Sequence, residues 1–242
     1  MAHGHPDYGI GAPVGTIYPV LDIGELATRL GSPDTFDRRG NVIWLDNFED
    51  TLKKWDSDSN DAAGSVEHTA EAARSGAFSV KLTTPPTVDY ATWLYCYRPL
   101  PVPSKIGFEV SYAMYLQIQY IYLRMSFMTA TARYRYYLRY DRYNTTMSYY
   151  NSSGGYTDLA GSPSHQMLYH AWNTIKLVAD HENNKYVRAL LNNFSWDLSD
   201  IAPHYTSGSY TPSLYLEIRI TNREAGQHYL YLDDVILTQN EP

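Results

Sequence analysis

Tyrosine and arginine alternate along residues 133–143, a pattern that favours ligand binding over catalysis. Tyrosine rings stack on the C–H groups of sugar rings, and arginine side chains hydrogen-bond to the neighbouring hydroxyl groups. The same two residue types are enriched at protein interfaces, so a protein-binding face is a second candidate. The residues proposed for this sugar-binding or interface face are Tyr134, Arg135, Tyr136, Arg139 and Tyr140.

Two further interpretations of this segment stay open. Arginines beside aromatic rings also bind single-stranded nucleic acid, but the net charge of −7 disfavours that partner. Alternatively, the tyrosines pair across strands and the arginine stems cover a half-exposed sheet, with no ligand involved. We therefore expect no nucleic-acid partner, and the choice between a glycan, a protein and no ligand is left open.

Short catalytic motifs are absent from the sequence. It contains no H-E-x-x-H, no G-x-S-x-G and no Walker loop. Asp46 and Glu49 are close in sequence but have opposite strand parity, so they would point to opposite faces of a sheet. The sequence therefore predicts that the chain is not an enzyme.

Length and composition favour one large all-β domain, or one such domain with an arm. The chain has 242 residues, 44% of them hydrophobic, and 24 of them are tyrosines. Its single cysteine, Cys96, excludes an intrachain disulfide. The N-terminus does not resemble a secretory signal, and no apolar stretch is long enough to span a bilayer. We therefore expect synthesis in a cytoplasm, no secretion through a signal peptide and no membrane partner.

Residues 1–40 differ from the rest of the chain and are predicted to form an extended N-terminal arm. They contain 7 of the 15 glycines. One short helix is predicted, with Asp22 as its N-cap and Gly31 at its end. Such a helix is too short to be stable alone, so we expect the arm to dock on a surface. The expected assembly contacts of the arm are Ile17, Tyr18, Leu21, Leu26 and Leu30.

Residues 41–242 consist of alternating runs separated by turn residues, which predicts a two-sheet antiparallel jelly-roll β-sandwich. The run from Ile106 to Leu123 alternates throughout and is predicted to form one bent strand or two strands. Residues 172–179 and 186–191 flank a polar segment that is typical of a hairpin turn. No helix is predicted in this domain.

Three segments resemble jelly-roll domains of the concanavalin-like and carbohydrate-binding-module type. They are the stretch from Trp44 to Asp50, the stretch from Trp172 to Asp180, and Tyr231 to Leu237. The resemblance covers about residues 41–240 and implies the fold rather than one function, because this fold serves lectins, hydrolases and virion proteins. It also implies a structural calcium site, in which Glu49 and Asp233 would be the ligands. The Glu-x-Asp-x-x-Glu pattern of the hydrolases with this fold is absent.

The arm placed before a jelly roll resembles non-secreted structural proteins of tailed-phage particles. This resemblance implies a virion protein that decorates or cements the particle and binds itself and other virion subunits. It makes a non-enzymatic structural virion role the main expectation. The alternative is a carbohydrate-binding module or lectin-like protein, and the third candidate is a glycoside hydrolase or lyase of jelly-roll fold.

Deleting residues 1–40 should leave a folded, soluble sandwich that no longer assembles, because the arm is predicted to lie outside the core. Light scattering of the full chain beside the truncated chain measures this. A truncated chain that fails to fold would place the arm inside the core and contradict the predicted boundary.

Overall fold

The computed structural model describes residues 40–114, 118–161, 171–192 and 194–242. Within these residues the chain is all-β, with two antiparallel sheets and no helix, so the predicted jelly-roll sandwich is confirmed. None of these segments is a helix that could cross a membrane. The predicted short helix and the arm residues Ile17, Tyr18, Leu21, Leu26 and Leu30 lie outside the described residues.

Sixteen strands occur in the described residues. In chain order they are β1 Asn41–Asp46, β2 Asp56–Ser59, β3 Ser65–Thr69, β4 Ser79–Thr83, β5 Ala91–Arg98, β6 Lys105–Met114, β7 Ile118–Met128, β8 Ala132–Asp141, β9 Thr146–Tyr150, β10 Tyr156–Asp158, β11 Trp172–Asp180, β12 Lys185–Leu191, β13 Phe194–Asp197, β14 His204–Ser207, β15 Ser213–Asn222 and β16 Tyr229–Gln239. Sheet 1 has the order β13-β12-β11-β6-β16-β4-β3, and β1 also pairs with β16. Sheet 2 has the order β10-β9-β8-β7-β15-β5-β2, and β14 also pairs with β8.

The period of two in the sequence decides which residues form the core between the sheets. On β7, residues 121, 123, 125 and 127 are apolar and fully buried in a core cluster that includes residues of both sheets. The intervening residues, such as Tyr122 and Arg124, point to the opposite side of sheet 2. The long alternating run from Ile106 to Leu123 forms two strands, with β6 in sheet 1 and β7 in sheet 2.

The hydroxyl group of Tyr186 connects the two sheets through the core. Tyr186 lies on β12 of sheet 1 and is fully buried. Its hydroxyl accepts a hydrogen bond of 2.9 Å from Tyr137 N and donates one of 2.9 Å to Tyr150 O, both in sheet 2. The β8–β9 ladder ends one pair earlier, at Leu138 and Tyr149. The Tyr186 side chain of sheet 1 therefore supplies hydrogen bonds in sheet 2 where the next backbone pair of β8 and β9 would have formed them.

Tyr186→Phe should lower the free energy of unfolding by about 2 kcal/mol, because it leaves a buried N–H and a buried C=O without their partner. The matched control is Tyr136→Phe. Tyr136 is equally buried, but within the described part of the chain its hydroxyl has no hydrogen-bond partner. Removing that hydroxyl should leave stability unchanged or raise it. Urea unfolding of both variants measures the difference, and equal losses would contradict the bridging role.

Candidate functional site

The side of sheet 2 that faces away from the core carries three rows of outward-pointing residues. Each row runs across the sheet and takes one residue from each strand that it crosses. We call these rows the arginine–tyrosine face. Strand register aligns the rows across the sheet, and the close ring contact of Tyr137 with Tyr150 continues the first row onto β9. The first row is Tyr156, Tyr150, Tyr137, Arg124, Glu217 and Tyr95. The second is Asp158, Ser148, Arg139, Tyr122, Arg219 and Trp93, and the third is His204, Arg135, Ser126, Tyr215 and Tyr97.

Three arginines of this face, Arg124, Arg139 and Arg219, lie over aromatic rings of sheet 2. The Arg124 Cζ atom is 4.8 Å from the Tyr122 ring centroid and 5.1 Å from that of Tyr137. Arg139 lies 4.4 Å from the Tyr156 ring, and Arg219 lies 4.6 Å from the Trp93 ring. Each contact attracts the cation to the negative face of the ring. The stacking holds the guanidinium groups flat against the sheet.

Glu217 is the buried acid at the centre of the face. Its Oε1 atom accepts a hydrogen bond of 2.9 Å from Arg124 Nη1, and its Oε2 atom accepts one from the Tyr215 hydroxyl. Burial alone would lower the pKa of Arg124, but the charge of Glu217 raises it above its ordinary value. Burial and the nearby Glu217 charge raise the pKa of Tyr215. At neutral pH this cluster is therefore an ion pair with a protonated tyrosine donor.

Two other arginines are positioned by polar neighbours at the side of the face near β10 and β14. Arg139 Nη2 donates to Ser148 Oγ at 3.3 Å and lies 3.8 Å from the exposed carboxylate of Asp158. Arg135 Nη1 lies 2.9 Å from His204 Nδ1. Burial and the charge of Arg135 lower the pKa of His204. His204 is therefore neutral near pH 7 and accepts this hydrogen bond.

The structure separates the five residues proposed from sequence for this face. Arg135 and Arg139 point outward, as the proposal requires. Tyr136 and Tyr140 are 0% and 1% exposed and belong to the core, and Tyr134 packs against that core. The three tyrosines have the other strand parity, so they lie on the opposite side of β8 from the arginines. The proposal of one shared face for all five residues is therefore corrected.

Most residues of the face were missed in the sequence because they come from distant segments. Trp93, Tyr95 and Tyr97 alternate on β5, and Tyr215, Glu217 and Arg219 alternate on β15. The alternation of each strand was a usable signal. The pairing of β15 with both β5 and β7, which joins these strands into one face, is not visible in any local pattern.

Glu49 and Asp233, the proposed calcium ligands, lie on two sides of the loop at residues 74–78. Glu49 Oε1 accepts hydrogen bonds of 2.9 Å from the backbone N–H groups of Ala77 and Phe78. A Cβ on Gly76 would lie 2.2 Å from Glu49 Oε1, so only glycine fits this approach. The Glu49 carboxylate therefore stabilises the loop by accepting hydrogen bonds from its backbone N–H groups.

The carboxylate of Asp233 binds the same loop from the other side. Its Oδ2 atom accepts hydrogen bonds from Arg74 N at 2.7 Å and from Ser75 N at 3.1 Å. The described residues contain no group of three or more His, Cys, Asp or Glu side chains placed to hold a metal. Calcium binding through Glu49 and Asp233 stays a prediction.

Solved structures with a similar fold include a cellulose-induced protein, a carbohydrate esterase and a lyase. A cellulose-induced protein, Cip1, has a TM-score of 0.55 and 12% identity, covering 81% of this chain and 96% of that chain. A carbohydrate esterase of the Shiga toxin-encoding bacteriophage phi24B has a TM-score of 0.52 and 13% identity, covering 84% and 100%. The endo-β-1,4-glucuronan lyase of the fungus Trichoderma reesei has a TM-score of 0.51 and 11% identity, covering 82% and 96%.

The chain has a carbohydrate-related jelly-roll fold. No protein-family model and no curated protein matches the sequence. At these identities the likeness shows the fold alone, so the substrates of the three proteins are not assigned to this chain. The likeness confirms the expected jelly-roll sandwich and does not support the expected phage-virion character of the arm.

The expectation that the chain is not an enzyme is corrected by these structures, which include an esterase and a lyase of the same fold. That expectation relied on the absence of short motifs. A face assembled from residues far apart in the sequence produces no short motif, so the missing Glu-x-Asp-x-x-Glu pattern does not exclude activity.

The buried carboxyl of Asp233 should make stability depend on pH. Burial raises its pKa to about 6, although the N–H groups of Ser75 and Arg74 oppose the increase. The folded state therefore holds the proton more tightly than the unfolded state, whose carboxyl has a pKa of about 3.9. The stabilising contribution is complete below about pH 4, is lost as the pH rises through 6, and totals on the order of 3 kcal/mol.

The measurement is urea unfolding of the wild type and of Asp233→Asn between pH 4 and pH 7. The stability of the wild type relative to the variant should fall over this range and become constant above it. A relative stability that rises with pH would mean that the carboxylate is favoured in the folded state and would contradict the prediction.

Proposed function

We propose that the chain binds a glycan on the arginine–tyrosine face. The observation that carries this proposal is the row-by-row interleaving of aromatic rings and guanidinium groups across the outward side of sheet 2. Sugar rings present C–H groups that pack on aromatic faces and hydroxyl groups that accept hydrogen bonds from arginine. Arginine and aromatic ring lie within about 5 Å of each other at Arg124, Arg139 and Arg219, in the first and second rows.

The composition of the face favours a glycan over a protein partner. None of the residues in the three rows is aliphatic. The centre of a protein interface is enriched in aromatic residues and arginine but depleted in acidic residues, whereas this face has the buried acid Glu217 at its centre. Three of the five exposed aliphatic residues of the described part of the chain, Val42, Ile43 and Leu45, lie instead on β1 of sheet 1. A polyhydroxylated ligand therefore matches the face better than an apolar protein surface does.

The structural virion role stays a prediction. It depends on the arm of residues 1–40 and on self-assembly, and the fold comparisons do not support it. The phage protein among the solved structures is a carbohydrate esterase. A virion location and contacts with other virion subunits therefore rest on the sequence resemblance alone. The carbohydrate-binding alternative has the support of both the fold and the face.

Tyr97→Ala should weaken glycan binding about fivefold, because it removes an aromatic ring that is 58% exposed on the face. The matched control is Tyr205→Ala. Tyr205 is 53% exposed on β14 of the same sheet but has the parity of Tyr134, away from the three rows. The wild type is first screened on an array of neutral and acidic oligosaccharides. Calorimetry with a bound oligosaccharide then compares the variants.

Equal affinities of the two tyrosine variants would move the binding site away from this face. Failure of the wild type to bind any neutral or acidic oligosaccharide would overturn the proposed function. Because enzymes share this fold, the mixtures of protein and oligosaccharide are also analysed for newly formed chain ends. New chain ends would show cleavage in addition to binding.

A further inference from the structure

The three central strands of sheet 2 carry more arginines than acids, although the whole chain has a net charge of −7, and the acids Asp56, Asp58 and Asp158 lie on the outer strands β2 and β10. Strands β7, β8 and β15 carry five arginines, which are Arg124, Arg133, Arg135, Arg139 and Arg219. The same strands carry two acids, Asp141 and Glu217. Concentrating arginines on one face of an acidic protein creates a local field that attracts anions.

Both acids on these strands already bind neighbouring groups. Asp141 Oδ1 accepts hydrogen bonds from the backbone N–H groups of Tyr143 and Asn144, and its Oδ2 atom accepts one from the Asn144 side chain. Glu217 accepts from Arg124 and Tyr215. Neither acid is therefore available to neutralise Arg219 through a direct contact.

Arg219 is the least satisfied of these cations. Its guanidinium lies 4.6 Å from the Trp93 ring centroid, and it makes no hydrogen bond or ion pair with any residue in the described part of the chain. Burial and the positive charge of Arg124 lower its pKa. Arg219 thus contacts the Trp93 ring, and its N–H donors have no acceptor among the described residues.

Three arginines surround Tyr122. Register places Tyr122 between Arg219 and Arg139 on adjacent strands, so these two cations are separated by about 10 Å across the sheet. Arg124 lies over the Tyr122 ring at 4.8 Å. Burial raises the pKa of the Tyr122 hydroxyl, and the charges of all three arginines oppose that increase. The three positive charges therefore converge on one aromatic ring.

Arg139 provides a second unsatisfied donor at this place. Its Nη2 atom donates to Ser148, but its Nε–H group is buried and has no acceptor among the described residues. A buried donor without an acceptor costs free energy, so the Arg139 guanidinium is incompletely satisfied among the described residues. The cluster therefore combines an aromatic platform, three cations and free N–H donors.

We propose that Arg124, Arg139 and Arg219 around Tyr122 form a subsite for the anionic group of an acidic glycan. The inference rests on the proposed glycan-binding function and adds the class of glycan. A carboxylate or sulfate oxyanion would accept paired hydrogen bonds from the Arg219 fork, while the sugar ring that carries it packs on Tyr122. The anionic group is the carboxylate of a uronic acid or a sulfate ester, and both present the same chemistry to arginine.

The test uses three hexasaccharides that differ only at C6. They are a neutral β-1,4-glucan, its C6-carboxylated form and its C6-sulfated form, titrated calorimetrically into the full-length protein. We expect at least one charged form to bind about tenfold more tightly than the neutral form at low salt. The advantage should shrink as the salt concentration rises, because the contacts are electrostatic. The two charged forms distinguish a uronate subsite from a sulfate subsite.

Arg219→Gln should remove most of this advantage, measured as the ratio of the affinity for the charged hexasaccharide to the affinity for the neutral one. The matched control is Lys185→Gln, which removes the same charge from an exposed position on β12 of sheet 1 and should keep the advantage. Arg139→Gln is a second variant for the subsite. Thermal unfolding establishes that each variant is folded, and a misfolded Arg219 variant leaves the Arg139 variant to decide.

The outcomes separate the two proposals. Equal binding of neutral and charged forms overturns the acidic subsite and leaves the glycan-binding face intact. Binding of none of the glycans in either screen overturns both. A preference for charged forms that survives both arginine substitutions overturns the assignment to these residues. A single-stranded oligonucleotide that binds more tightly than either charged hexasaccharide would mean that the cationic cluster serves nucleic acid, which also overturns the inference.

Discussion

The hydrogen bonds of the Tyr186 hydroxyl link the two sheets of the sandwich and fix the geometry of the arginine–tyrosine face. The hydroxyl occupies the place of a β8–β9 rung, between Tyr137 N and Tyr150 O. On the outward side of the same two residues, the Tyr137 and Tyr150 rings stack at 5.1 Å. A polar group in the core thus binds the backbone of the two residues whose rings stack on the outward side of sheet 2. A buried phenol is retained here because both of its partners are backbone groups that would otherwise be unsatisfied.

The electrostatics of the face follow from the strand order of sheet 2. β7 lies between β8 and β15, so Arg139, Tyr122 and Arg219 become neighbours although they come from three separate segments. Aromatic rings between the guanidinium groups separate like charges and hold each cation by stacking. Glu217 neutralises only one of these charges, through Arg124. Arg139 lies 3.8 Å from the Asp158 carboxylate, whereas Arg219 is held by its contact with the Trp93 ring.

Sequence patterns predicted the secondary structure and fold class well in the described residues. The alternation on β7 and the polar turn between β11 and β12 were sufficient, because a period of two and a short polar turn are local properties. The site was predicted less well. Arg135 and Arg139 lie on the face, whereas Tyr136 and Tyr140 on the same strand lie in the core. Alternation separates two faces of a strand but does not show which face meets the other sheet when both carry tyrosine.

The sequence by itself determined that residues 41–242 form an antiparallel sandwich rich in half-buried tyrosine. Only the tertiary structure decided which strands are neighbours, and therefore that Trp93, Arg124 and Arg219 share one face. It also gave Glu49 and Asp233 backbone N–H partners in one loop, although they are far apart in the sequence. The physical reason is that side-chain alternation is set by local backbone geometry, whereas strand order is set by long-range packing of the whole core.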